Sequence, residues 1–283
     1  MADNYIEKVL ITGIGEPAGE SAASYFREKG FHIIGTDIEN GQSYVEKLLD
    51  IIKSEGPALL IPTVTEELPV IARLKKIIES YGCTIFVSPP AAIDIANDKL
   101  KTTMVMAGHS VPVPISFDEC TPRELIVKEL GLPFLSKPRF SRGGQGVKLY
   151  RKLEEVYEES RTGLVFQEFI TGEEFNINLF IDKEGDPISA VVLKETILKD
   201  GITGNVLTVE RVERYDIAQL GMRISSILKL EGPVDIDVRL REDGTPVLLD
   251  INARLGANVL SARGVLDSLI ISWFVSTKAY VHV

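Results

Sequence analysis

The stretch PFLSKPRFSRGGQGV, running from Pro133 to Val147, decides how the rest of the chain is read. Phe134 to Lys137 has the apolar character of a short strand and ends by delivering a lysine. Ser141, Gly143, Gly144 and Gly146 follow in a hairpin whose backbone N–H groups have no large side chains in front of them. One fixed cation beside a flexible backbone cradle is what a triphosphate requires. The order is wrong for a P-loop, because the lysine precedes the glycines and no helix start follows them. An ordinary glycine hairpin with an incidental lysine is the alternative that this stretch alone leaves open.

A second pattern lies downstream, where VDIDVRL (Val234 to Leu240) and VLLDINAR (Val247 to Arg254) flank the turn Glu242-Asp243-Gly244-Thr245. Two strands joined by such a turn form a hairpin. Alternation then predicts Asp250, Asn252 and Arg254 on one face, with Leu249, Ile251 and Ala253 on the other. Asp250 and Asn252 beside a facing Asp237 make a set of hard oxygen donors suited to Mg²⁺. Arg254 is placed to clamp a carboxylate or a transferred phosphoryl group. A solvated strand face carrying a salt bridge is the bland reading of either strand taken separately.

Outward from these motifs, 283 residues with 45% hydrophobic side chains predict two or three lobes rather than one core. Lys8 to Thr12 reads as a strand, with a helix from about Glu16 to Lys29 and a second strand at Phe31 to Thr36. Ala58 to Pro62 and Thr84 to Val87 read as further strands around a helix near Glu66 to Glu79, which puts Val70, Ile71, Leu74, Ile77 and Ile78 on one face. This alternation predicts a parallel α/β sheet over roughly the first 90 residues. A helix over Ala91 to Ala107, a strand near Val113 to Phe117, a helix near Pro122 to Leu130 and a charged helix near Leu153 to Ser160 surround the lysine hairpin in a small α+β lobe. The remainder is rich in strands, at Val165 to Ile170, Asn176 to Asp182, Ile188 to Leu193, Val234 to Leu240 and Val247 to Ile251, with a helix over Asp216 to Leu228.

Composition narrows the function. A net charge of −10 without a Lys/Arg run repels nucleic acid. No run of about 18 uncharged apolar residues points to a membrane span, and a soluble, cytoplasmic protein is expected. Cys83 and Cys120 have no metal or disulfide spacing and are expected to be buried small hydrophobes. His32, His109 and His282 are scattered, so catalysis falls to Lys, Arg, carboxylates and backbone. The turn Gly13-x-Gly15-x-x-x-Gly19, with Asp37 after the second strand, approaches a dinucleotide fingerprint, but its spacing is off. Glu16 occupies the anion's approach and Pro17 removes an amide donor, so a structural turn is the default and a nicotinamide-dependent oxidoreductase the rival.

In order along the chain, Asp98-Lys99, Pro133 to Val147, Phe166 to Phe175 and Asp250 to Arg254 resemble the successive motifs of the ATP-grasp superfamily, as in stand-alone proteins similar to half of a carbamoyl phosphate synthase large subunit and related carboxylate-amine ligases. Lys194 to Thr203 resembles a segment common in that subgroup. The resemblance implies a Rossmann-like lobe over 1–93, a small ATP-grasp lobe over 94–165 and a C-terminal lobe with the metal site over 166–283. It implies Lys99 and Lys137 on the α- and β-phosphates, and the loop with Ser141, Gly143 and Gly144 over the γ-phosphate. Adenine would lie against Gln167, Glu168, Phe169 and Ile170, mainly through backbone groups, with Glu174 on the ribose. Asp237, Asp250 and Asn252 would hold Mg²⁺, with Mn²⁺ as the substitute, and Arg254 would steer an acyl phosphate. Small-molecule carboxylate and nucleophile substrates, and a homodimer, are further expectations from the resemblance. Asp237 and Asp250 stand where glutamates are common, and Gln167 likewise. The lobe between Asp37 and Tyr44 is shorter than usual, and the chain ends soon after the metal motif. The aspartates in place of glutamates favour the first alternative to the ligase, a fold retained for ATP binding with turnover lost, with the oxidoreductase next.

Overall fold

The computed structural model describes residues 6–37, 41, 43–157, 161–198 and 206–279. In the first lobe, β1 (Lys8–Thr12), α1 (Pro17–Glu28), β2 (His32–Thr36), α2 (Tyr44–Glu55), β3 (Leu59–Ile61), α3 (Leu68–Ser80) and β4 (Thr84–Ile85) alternate. The strands form the expected parallel sheet in the order β2-β1-β3-β4. Leu10 and Leu60 point to one core and Val9, Ile11, Leu59 and Ile61 to the other, which is why β1 and β3 read as continuous apolar runs. Ile78 and Ile71 of α3 are buried as predicted, but Ile77 is exposed because it lies off the stripe that meets the sheet. Cys83 is buried. Cys120, expected to be buried, is exposed in a turn where its N–H donates to the Asp118 carboxylate at 3.1 Å.

At the carboxyl ends of β1 and β3 a buried carboxylate ties the lobe together. Glu67 accepts from the Thr12 hydroxyl, from the Thr63 and Val64 amides at 3.2 and 3.1 Å, and from the Tyr44 hydroxyl at 2.7 Å. Burial pushes its carboxyl above the usual range while these donors resist the shift.

The helix expected over Ala91 to Ala107 is two helices, α4 (Pro90–Ala96) and α5 (Lys99–Gly108). Asp98 breaks it: its side chain accepts from the Lys101 amide at 3.1 Å, the N-cap geometry that an Asp favours over a helix interior. Beyond it, β5 (Ser116–Phe117), α6 (Arg123–Leu130), β6 (Phe134–Pro138), β7 (Lys148–Tyr150), α7 (Leu153–Tyr157) and β8 (Leu164–Glu168) build an antiparallel sheet in the order β5-β8-β6-β7. Ile126, Phe134, Tyr150, Val156 and Phe166 form its small core. β8 crosses residue 165, so the expected boundary there falls inside a strand of this sheet.

The rest comprises β9 (Glu174–Ile181), β10 (Pro187–Leu198), β11 (Val206–Val212), α8 (Tyr215–Leu228), β12 (Gly232–Leu240), β13 (Pro246–Asn252) and α9 (Arg263–Ala279). The antiparallel sheet runs β11-β10-β9-β12-β13. Phe175, Ile177, Leu179 and Ile181 of β9 enter the core shared with Ile217, Leu220 and Ile224 of α8, whereas Asn176 and Asn178 alternate to the opposite face. β10 extends past Leu193, and β11 and α9 were not anticipated. The apolar residues of α9 surround it rather than forming one stripe: Leu266, Leu269 and Trp273 are buried, while Ile271, Phe274 and Val275 are exposed. Among the described residues, Val259–Thr277 alone is long and apolar enough to cross a membrane, with mean hydropathy 1.4, and 39% of it is buried here. Its charges are engaged within the fold, Arg263 with Glu28 at 3.0 Å and Asp267 with Lys29 at 3.6 Å. Residues 199–203 of the segment Lys194 to Thr203, residues 38–40 and 42 ahead of Tyr44, residues 158–160 of the charged helix, residues 1–4 and His282 lie outside the described residues.

Replacing Glu67 by alanine would orphan four donors, three of them buried: the Thr12 and Tyr44 hydroxyls and the Thr63 amide. Glu67→Ala is expected to lower unfolding stability by about 3 kcal/mol, with Glu67→Gln costing less, as read by urea denaturation.

Candidate functional site

A cleft opens between the two antiparallel sheets, and its walls carry Lys99, Lys137, Ser141, Gly143, Gly144, Gln167, Glu168, Phe169, Ile170, Glu174, Asp237, Asp250, Asn252 and Arg254. Every residue that the resemblance assigns to the nucleotide, the metal or the acyl phosphate lines this one space.

The small-lobe wall comes from the lysine hairpin. Lys137, near the end of β6, is buried, and its ammonium donates to the Leu249 carbonyl at 3.2 Å. Burial lowers its pKa to about 8, against the pull of Asp250. Gly143, Gly144 and Gly146 have φ of 59°, 71° and 72°, in the left-handed region that glycine adopts without strain, so the loop turns with no side chain on these three residues, while the Gln145 and Val147 amides donate to the Arg142 and Gly144 carbonyls at 3.2 and 3.3 Å. The loop is held at both ends. Arg139 at its root forms a two-pronged pair with Asp98 at 2.7 Å for each bond. Arg142 at its tip pairs with Glu16 at 3.0 and 3.1 Å and with Glu66 at 2.9 Å, both in the first lobe. Arg142 holds the Glu16 carboxyl below its usual range. Lys99, at the start of α5, bridges the Ser141 carbonyl and the Asp250 carboxylate, at 2.8 Å each.

The opposite wall is the polar face of the large sheet. Asp237 faces Asp250 across β12 and β13, and Asp235 faces Asn252, as the hairpin reading required. Strict alternation fails at one position. Pairing passes from Asp237–Asp250 to Val238–Leu248, leaving Leu249 as the extra residue of a β-bulge, and Leu249 lines the cleft beside Asp250. The bulge frees the Leu249 carbonyl for Lys137. Asn176 donates to Asp237 at 2.8 Å and Asn252 to Asp235 at 3.2 Å. Arg254 reaches the Thr65 hydroxyl at 3.1 Å and the Asn252 side chain at 3.3 Å.

Carboxylates crowd this face. Burial, followed by repulsion from Asp235, Asp250 and Glu174, pushes Asp237 well above the usual carboxylate range. Burial raises Asp235 too. Glu195 of β10 is pushed up to about 9 by burial and by Asp237, Glu174 and Asp235. This is the electrostatic signature of a face that a cation would relieve, and hard carboxylate and amide oxygens are the donors a divalent ion prefers. Among the described residues, no three Asp, Glu, His or Cys side chains are already gathered into a cage. Asp250 is held by Lys99, Asp237 by Asn176, and Asn252 is turned to Asp235.

At the far end, β8 leads into the strip from Gln167 to Ile170. The Gln167 side chain donates to the Ser116 hydroxyl at 2.9 Å, and the Glu168 carboxylate is taken by Arg241 and the Ile115 amide. Their side chains brace the strip, which lines the cleft as far as Phe169 and Ile170. Sequence reading missed Arg142, Asn176, Asp235, Glu195 and Arg239. Two had a visible signal: Asn176 interrupts an apolar strand at period two, and Asp235 shares the parity of Asp237. The others act through partners distant in sequence. In the first lobe, the Asp37 carboxylate accepts from the Gly15 amide at 3.1 Å, so the residue a dinucleotide would use on its ribose is spent on the turn.

Comparison with known proteins accords with this geometry. The ATP-grasp domain family matches residues 96–258. The chain is 28% identical to the carbamoyl phosphate synthase large chain of Methanosarcina barkeri, over 88% of this chain and 28% of that protein. It is 25% identical to the tyramine–L-glutamate ligase of Methanocaldococcus jannaschii, over 85% of this chain and 69% of that protein. The chain thus spans only 28% of the synthase large chain it matches. Among solved structures, D-alanine–D-alanine ligase from Bacillus anthracis has the same fold, with a TM-score of 0.67 at 15% identity over 97% of this chain and 99% of that one. N5-carboxyaminoimidazole ribonucleotide synthetase from Thermotoga maritima gives 0.65 at 16% identity over 92% of this chain and 76% of that one. With the family match covering more than half of its length, and a parallel-sheet lobe followed by two antiparallel sheets around a lysine-and-carboxylate cleft, the chain belongs to the ATP-grasp family.

Proposed function

We propose that the chain is an ATP- and Mg²⁺-dependent ligase that activates a small-molecule carboxylate as an acyl phosphate for attack by an amine or similar nucleophile. The observation that carries this reading is the convergence of two buried lysines, a bare glycine loop and the Asp237–Asp250–Asn252 face on one cleft. The relation to a ligase joining tyramine to L-glutamate, which covers most of both chains, supports the carboxylate-amine class.

Lys99 and Lys137 would hold the α- and β-phosphates, and the loop from Ser141 to Gly146 would lie over the γ-phosphate. The substrate carboxylate oxygen forms a bond to the γ-phosphorus as the β–γ bridging P–O bond breaks and ADP leaves. The nucleophile then attacks the acyl carbon, phosphate departs with its oxygen, and the surplus proton of the amine is lost to solvent or to phosphate. Mg²⁺, when bound through the oxygens of Asp237, Asp250 and Asn252, supplies charge neutralisation on the phosphates. Arg254, anchored beside Asn252 and Thr65, would orient the anionic acyl group. The Arg142 pairs close the loop onto the first lobe and keep water from the reacting end.

Lys137→Ala is expected to weaken ATP binding by about 10-fold or more, since it removes a charged hydrogen-bond donor. Asp250→Ala releases Lys99 to the phosphates, so nucleotide affinity is held while ADP formation, assayed over a panel of carboxylates and amines, falls by about 100-fold or more. Undiminished ADP formation would remove Asp250 from the reaction, and tight ATP binding with no ADP release from the unaltered protein over the same panel would leave a binding module only.

Proton linkage gives an independent reading. A Lys137 with pKa about 8 in the free protein is partly neutral above that pH, and an adjacent triphosphate draws the pKa back up. ATP binding should therefore take up protons between roughly pH 8 and 10, and affinity should fall as pH rises through that window. Calorimetry without Mg²⁺, in buffers of different ionisation enthalpy, measures the uptake, which Lys137→Ala reduces while the raised carboxyls of Asp237 and Glu195 keep their own share.

A further inference from the structure

Arg239 of β12 is used by none of the steps above, yet it is buried against the nucleoside end of the cleft and lines it. It is the direct cross-strand neighbour of Glu174 on β9. Its Nε donates to Glu174 Oε2 at 2.8 Å, and its Nη2 donates to the same oxygen. Oε1 of Glu174 accepts from no described residue, and the Glu174 side chain lines the cleft. The third arm, Nη1, donates to the Ile170 carbonyl at 3.1 Å, and the guanidinium lies over the Phe169 ring at 5.9 Å from its centroid.

One planar cation thus joins the carboxylate expected at the ribose to the strip expected at the adenine. A lysine has one donor centre and cannot span these contacts in the same way. The charge matters as much as the shape, because Glu174 adds to the repulsion felt by both Asp237 and Glu195. Without a cation on Oε2, Glu174 would turn away from its acidic neighbours or recruit a cation of its own.

We propose that Arg239 is the positioning residue for nucleoside recognition: it fixes Glu174 with one oxygen open to the ribose hydroxyls and locks that carboxylate in register with the Phe169–Ile170 strip. The inference rests on the proposed ATP site and deepens it. Arg239 touches no reacting atom, so its loss acts on nucleotide selection before it acts on chemistry.

The test is calorimetric titration of the full chain with ATP, 2′-deoxy-ATP and 3′-deoxy-ATP, for the unaltered protein and for Arg239→Met, Arg239→Lys and Glu174→Gln. The unaltered protein should bind ATP about 10-fold or more tighter than at least one deoxy analogue, the cost of an unmade hydrogen bond to a carboxylate. Arg239→Met should bring that ratio close to one, Arg239→Lys should leave part of it, and Glu174→Gln should reduce it similarly. A side chain that only supports the fold would weaken all three nucleotides together and leave the ratio unchanged. An unchanged ratio in Arg239→Met, or no discrimination by the unaltered protein, overturns the role of Arg239 while leaving the ATP site standing. Failure of the unaltered protein to bind ATP overturns both.

Discussion

The cleft depends on one electrostatic arrangement: Glu174, Glu195, Asp235, Asp237 and Asp250 are crowded on a single sheet face, opposed by Lys99, Lys137, Arg239 and Arg254. Buried charges of one sign are costly unless partners and hydrogen bonds surround them. The partners come from α5, β6, β12 and the chain after β13, so the charge balance of the face can be met only when both antiparallel sheets are in place. Small residues follow from the same crowding. A Cβ at Gly256 would lie 1.8 Å from the Asp235 carboxylate, so the backbone after β13 can approach that group only as glycine.

The same currency joins the first lobe to the cleft. Arg142 carries the tip of the glycine loop to Glu16 and Glu66, and Arg254 carries the chain just after β13 to Thr65. The glycine turn of the first lobe then has a structural role, presenting Glu16 at the start of α1. Asp37 secures that turn through the Gly15 amide. On the proposed reading, the lobe that resembles a dinucleotide-binding unit serves as the surface onto which the phosphate loop closes.

Much of this was legible in the sequence because it is written in local periodicity. The α/β alternation of the first lobe, the lysine hairpin and the facing carboxylates of β12 and β13 each depend on neighbours two to four residues apart or on a short turn. What escaped has a different cause. The bulge at Leu249 alters parity by one residue without a glycine or proline to mark it. The break between α4 and α5 rests on a capping aspartate inside an otherwise helical pattern. α9 lacks a single apolar stripe because neighbours touch it on one side and leave apolar residues exposed elsewhere. Arg142 and Arg239 look like ordinary surface cations until the fold brings Glu16, Glu66 and Glu174 to them, across sequence separations of 126, 76 and 65 residues.

The central claim is that the cleft takes ATP together with Mg²⁺. Thermal unfolding of the unaltered chain with ATP, ADP, GTP and NAD, each with and without Mg²⁺, tests it most directly, since a ligand at about 100 times its Kd adds about 2.7 kcal/mol to native stability. The account predicts an upward shift that is largest for ATP with Mg²⁺ and weaker without the ion. No shift with any adenine nucleotide, or a shift with NAD alone, would contradict it.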